Sequence, residues 1–230
     1  MTEAPSLITY YSIVSRDSIR IELRILAFNE LDLLACDIQN EYLTAKCREK
    51  IWTIAGPEFG SEEGSLMIVK MALYGLKSSG AAFRAKLSGV LHDLSYVTSK
   101  ADPDVWIRPA VRPDGSEYYE MALCYVNDIL VIASESMKIM DGIRAVFKLK
   151  GNKAENTEMY PGASLSELET ADGEKCWTMS SEKYVKAAIE NVEARLAKSD
   201  LRLPSKCDTP MSTGYHPRKD VTREINAKGL

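Results

Sequence analysis

The chain has 230 residues, 45% apolar and 27% charged, with a net charge of −4 and a pI near 5.4. That is an ordinary globular composition with core enough for one or two domains, and its acidic balance argues against a general nucleic-acid binder, which is usually basic. The longest aliphatic run, Ile129 to Ala133, is far short of the roughly 20 residues a membrane helix needs, and the start, MTEAPSLITY, has neither a basic n-region nor an apolar h-region; the expectation is an intracellular protein of cytoplasm or nucleus, with no membrane contact.

Asp17 or Ser18 can cap a helix running to about Asn29, with Ile19, Leu23, Leu26 and Ala27 on one face. Leu33 to Asp37 (LLACD) reads as a buried strand that delivers Asp37 to a sheet edge. Ile51 to Ile54 and Leu66 to Ala72 read as two more strands. Ser78 to Leu94 is amphipathic at helical spacing. Val105 to Ile107 is strand-like, and Pro113-Asp114-Gly115-Ser116 is a turn. Tyr118 to Tyr125 and Ile129 to Ala133 flank a tight turn at Val126-Asn127-Asp128, which predicts a hairpin. Met137 to Leu149 reads as a helix. Met159 to Leu168 and Cys176 to Met179 bracket Asp172-Gly173, a second hairpin signal. Ser180 or Ser181 caps a last helix to about Ala197, and the chain from Pro204 is loop-like. The order predicts an α+β fold, an antiparallel sheet with helices packed on one face. No glycine-rich phosphate loop opens a βαβ unit, so a Rossmann or P-loop fold is set aside.

Five scattered cysteines (Cys36, Cys47, Cys124, Cys176, Cys207) form no CxxC pair, and there are only two histidines, His92 and His216. Free thiols in a reducing compartment are the expectation, rather than a zinc site. Charge alternates along the chain. Residues 1–69 hold 6 basic and 11 acidic side chains, 70–112 hold 7 and 3, 113–174 hold 5 and 12, and 175–220 hold 9 and 6. Two readings stay open: an ordinary solvated surface, or a groove with basic walls and an acidic floor.

Asp37 at a strand end and Asp128 in a hairpin turn are the acidic positions of interest. Carboxylates on adjacent strands bind a hard cation when they converge, and two such ions can activate a hydroxyl and stabilise a leaving pyrophosphate. An Asp in a hairpin turn also serves simply as a turn former.

Four segments, in order, resemble the reverse transcriptases of Ty1/copia retroelements: Ala35 to Leu43 (ACDIQNEYL), Ala72 to Phe83 (ALYGLKSSGAAF), Ala101 to Trp106 (ADPDVW) and Leu123 to Val131 (LCYVNDILV). Tyr160-Pro161-Gly162-Ala163 and Ser181 to Ala187 resemble the strand and helix that follow in that family, and the likeness is nearest to copia-type elements of diatoms and water moulds. The resemblance runs from about Thr9 to Asp220. It implies a polymerase palm-like region over 1–175, with the fingers largely missing. It also implies a partial thumb helix and tail over 176–230, and no RNase H domain. It implies catalytic positions at Asp37, Asn127 and Asp128, of which Asp37 and Asp128 would bind Mg²⁺ or Mn²⁺. Tyr42, Gly75, Leu76 and Lys77 would lie at the nucleotide and template, Lys77 being equally readable as a solvated side chain. Tyr160 and Gly162 would belong to a primer grip. The implied partners are an RNA or DNA primer–template, dNTPs and a partner chain over exposed palm surface.

Three positions depart from the family pattern. Asn127 stands where the family has the first aspartate of its YVDD hairpin. An amide offers one carbonyl oxygen and an NH₂ that cannot ligate, so the loss is expected to be about 10³-fold or more in rate. Glu41 replaces a small residue and would repel a triphosphate. Pro161 suits only an edge strand or bulge. With both ends expected to be truncated, two functions follow: an impaired RNA-directed DNA polymerase fragment, or a non-catalytic module binding nucleic acid or protein.

Overall fold

A computed structural model describes residues 11–152, 159–160 and 163–203. The chain divides into two units, Met1–Lys183 and Tyr184–Leu230. Pro161, Gly162, Cys207, His216 and the tail from Pro204 lie outside the described residues.

In the first unit, α1 (Arg16–Phe28) leads into β1 (Asp32–Asp37). Ser15, two or three residues earlier than expected, is its N-cap: the Ser18 N–H donates to the Ser15 Oγ at 3.1 Å. A 3₁₀ turn at Glu41–Thr44 precedes β2 (Trp52–Ile54), and a second at Pro57–Glu62 precedes β3 (Leu66–Ile68). Then come α2 (Ser79–Asp93), β4 (Val97–Thr98), β5 (Val105–Val111), β6 (Glu117–Tyr125), β7 (Asp128–Ala133) and α3 (Ser136–Arg144). After a 3₁₀ turn at Lys150–Asn152 follow β8 (Met159–Tyr160), β9 (Ala163–Glu169) and β10 (Lys175–Ser180).

The main sheet is five-stranded and antiparallel, in the order β1-β7-β6-β5-β4. A three-stranded sheet runs β10-β9-β8, and β2 pairs only with β3. The mixed helix and antiparallel-sheet class expected from the sequence is what the structure has. The expectation of helices on one face is corrected. Ile129, Val131 and Ala133 face a core built with α2 and α3, including Phe83, Leu91, Met140 and Phe147. Leu130 and Ile132, the alternate residues of the same strand, face a second core with Ile19, Leu23 and Leu26 of α1 and with Tyr160 and Leu165. The reason lies in the run ILVIA itself. A strand that is apolar without alternation is buried on both faces, and each face needs its own cover.

The ADPDVW segment is a structural clasp. Asp102 accepts from the Ser15 N–H (2.9 Å), the Ser18 hydroxyl (2.7 Å) and the Asp104 N–H (3.0 Å), fixing the start of α1. Asp104, buried, pairs with Arg84 of α2 at 3.1 Å. The four described cysteines are free, with Cys36 and Cys124 buried. No helix among the described residues is long and apolar enough to cross a membrane.

Most of α4 (Glu182–Ala197) belongs to the second unit. Its Val185, Ile189 and Val192, at helical spacing, are all exposed.

Candidate active site

The ladder between β1 and β7 ends on the pair Asp37 and Asp128. Directly opposed residues of an antiparallel pair project to the same face, so the pleat brings these two carboxylates together. Tyr125 pairs with Asp128 across the hairpin, which leaves Val126 and Asn127 as a two-residue turn. The turn is held at three points. The Ile38 N–H donates to the Asn127 carbonyl (2.9 Å), the Tyr11 hydroxyl donates to the Val126 carbonyl (2.7 Å), and the Asn127 Nδ2 donates to the Asp37 Oδ1 (2.9 Å). Val126 takes φ +55°, a conformation that costs a β-branched residue strain.

The other side of Asp37 is built by the segment after α3. Ile38 bridges antiparallel to Leu149, and the Gln39 N–H donates to the Lys148 carbonyl at 2.9 Å. That register sets Lys150 beside Asp37, and its Nζ meets the Asp37 Oδ2 at 3.1 Å. Asp37 thus has Asp128 on one flank and Lys150 on the other. Burial, and next the charge of Asp37, push the Asp128 carboxyl up to about 6, with Lys150 opposing and Glu41 adding a little.

Glu41 is buried rather than free at the surface, and the Tyr74 hydroxyl donates to its Oε2 at 2.7 Å. That bond, with burial and the carboxylate's charge, pushes Tyr74 up to about 12. The Tyr42 ring lies 4.8 Å from Tyr74, tilted by 52°, and edge-on to Phe83 at 6.4 Å. The 3₁₀ turn after β1 is therefore fastened to the LYGLK segment through Tyr42, Glu41 and Tyr74. Within that segment Gly75 sits at φ +94°, open to solvent, where a side chain would be strained. Leu76 is half-buried and Lys77 exposed. The Ser79 hydroxyl donates to the Leu73 carbonyl (2.6 Å), and the Ser78 N–H and hydroxyl both donate to Glu49.

Asp37, Asn127 and Asp128 therefore meet, while Tyr160 stands apart from solvent. Its ring is in the core and its hydroxyl donates to the Leu123 carbonyl at 3.0 Å. Gly162 lies outside the described residues. Sequence reasoning missed Lys150, Tyr74 and Tyr11. Lys150 is 113 residues from Asp37, in a basic run with no local signal. Tyr74 sat within a segment already singled out, but its bond to Glu41 needs the fold.

A divalent metal does not fit this donor set. Among the described residues, no group of three or more His, Cys, Asp or Glu side chains is placed to hold a metal ion. One Asp37 oxygen is met by an amide NH₂ and the other by an ammonium, and neither partner can ligate a cation.

The family model described as reverse transcriptase (RNA-dependent DNA polymerase) matches residues 7–199. The chain is also 24% identical over 150 residues to the retrovirus-related Pol polyprotein from transposon RE1 of Arabidopsis thaliana. That match covers 63% of this chain and 10% of that polyprotein, so the chain spans about a tenth of the relative it resembles. With its four copia-like segments in order and its hairpin aspartate paired with the Asp37 strand, the chain belongs to the reverse transcriptase family, in its copia-type branch.

Proposed function

We propose that this chain is the palm-like reverse transcriptase region of a copia-type retrotransposon Pol polyprotein, impaired in RNA-directed DNA synthesis by its own hairpin residue. On this reading Asp37, Asn127 and Asp128 are the catalytic positions. Tyr42 and Gly75 to Lys77 line the nucleotide and template side, Tyr160 and Gly162 belong to the primer grip, and α4 begins the thumb. The observation that carries it is the Asn127 Nδ2 donating to the Asp37 Oδ1 at 2.9 Å, an amide at the place of a metal-binding anion. Losing an anionic ligand removes about 10³-fold or more in rate. Primer extension on an RNA template in Mg²⁺ tests this. The chain as it stands stays at background, and Asn127→Asp raises incorporation. Robust extension by the unaltered chain sinks the impairment.

A second reading, a binding module, is favoured by the ribbon of β2 and β3. Trp52 pairs with Ile68 and Ile54 with Leu66, so all four share one face, and all are exposed. Lys46, Arg48, Lys50 and Lys70 flank them in sequence. Aromatic and basic groups together suit nucleic acid. Such binding would weaken steeply and linearly in log[salt]; salt-independent binding points instead to a protein partner on the apolar face.

A further inference from the structure

Resting on the assignment of Asp37, Asn127 and Asp128 as the polymerase positions, we propose that Lys150 and Asn127 together close this carboxylate site, so that an internal ammonium stands where a divalent cation would be needed. The placement of Lys150 is architectural. The Ile38–Leu149 bridge and the Gln39–Lys148 bond lay residues 148–150 antiparallel to the chain where it leaves the end of β1. Asp37 then lies between β7 and this segment, with an anion from one and a cation from the other. Its two oxygens have different partners, Asn127 Nδ2 on Oδ1 and Lys150 Nζ on Oδ2.

Charge explains why the two substituents act together. Asp37 and Asp128 carry two negative charges when ionised, and Lys150 offsets one of them. Were residue 127 an aspartate, three carboxylates would face one ammonium, and the surplus would draw in a metal. With Asn127 the surplus falls to one, and the amide supplies a donor that holds Asp37 in place. The Lys150 side chain is 73% exposed, so it can be replaced without opening a core.

The test is Mn²⁺ binding to the full chain, followed by the loss of the free-ion paramagnetic resonance signal and by melting temperature with and without Mn²⁺. Circular dichroism checks that each variant is folded. The unaltered chain and Lys150→Arg should take up no ion and melt at the same temperature with or without it. Lys150→Met should take up Mn²⁺, with loss of the free-ion signal that the unaltered chain leaves unchanged, and its melting temperature should rise when the ion is added. Lys150→Met/Asn127→Asp should bind tightest. If Lys150→Met behaves like the unaltered chain while Asn127→Asp binds, the closure by Lys150 is wrong and the polymerase assignment stands. If no variant binds, including the double one, both the closure and the assignment of the three positions are wrong. Tight binding by the unaltered chain overturns the closure outright.

Discussion

Ser18 and Asp102, 84 residues apart, meet at 2.7 Å, the Ser18 hydroxyl donating to the Asp102 Oδ2 that also takes the Ser15 N–H. Burial pushes the Asp102 carboxyl up, but the bonds from the Ser15 N–H, the Ser18 hydroxyl and the Asp104 N–H together outweigh it and leave it below its ordinary range. A carboxyl lowered on folding contributes stability above its unfolded pKa of about 3.9, and that stability is lost as pH falls through the folded value. Asp102→Asn should therefore destabilise at pH 7 by about 1–2 kcal/mol. The deficit should shrink as pH drops below about 4. Urea denaturation at pH 7 and pH 3 measures both; an unchanged deficit at pH 3 would mean that the charge contributes nothing.

Two covered faces make the α1 side of the main sheet as sensitive as the α2 side. Leu26 and Leu91 are both buried, one in each core. Each Leu→Ala replacement should cost about 2–5 kcal/mol by removing contacts and leaving a cavity. A cost below about 1 kcal/mol for Leu26→Ala in chemical denaturation would show that α1 is only loosely docked.

Val126 holds φ +55° at the first position of the hairpin turn. Glycine adopts that conformation without strain, and the Tyr11 hydroxyl bonds the backbone carbonyl there rather than a side chain. Val126→Gly should raise stability by about 1 kcal/mol, read as a shift in the urea midpoint. A loss of similar size would mean that the valine side chain packs well enough to outweigh its strain.

The β2–β3 ribbon should be nearly irrelevant to folding. Ile54 is 69% exposed and Leu66 67%. Ile54→Lys should change stability by less than about 0.5 kcal/mol while reducing any self-association or partner capture, checked by sedimentation. A large fall in melting temperature would place this face against the body of the protein.

What was legible in the sequence follows from how local each signal is. The strand ending in Asp37 and the hairpin around Asn127 were readable because apolar runs and turn residues are contiguous. The turn length fixed the register within the hairpin, Tyr125 opposite Asp128, but the pairing of Asp37 with Asp128 joins strands about 90 residues apart and needed the fold. The second layer on α1 was not read, although the ILVIA run contained the clue. Other helix ends shifted by up to three residues, and α3 stops at Arg144 instead of reaching Leu149 because residues 148 and 149 are drawn off to pair with Gln39 and Ile38, just past β1. Lys150 stayed invisible for the same reason: its partner is fixed by a bridge between segments more than 100 residues apart.

The most direct measurement is a Mg²⁺ titration by calorimetry of the chain as it stands and of Asn127→Asp. If one amide is what disables the site, the unaltered chain should give no binding heat and Asn127→Asp should bind at least one ion. Equal binding by both, or binding by neither, would contradict the central claim that an aspartate at residue 127 restores metal binding to this site.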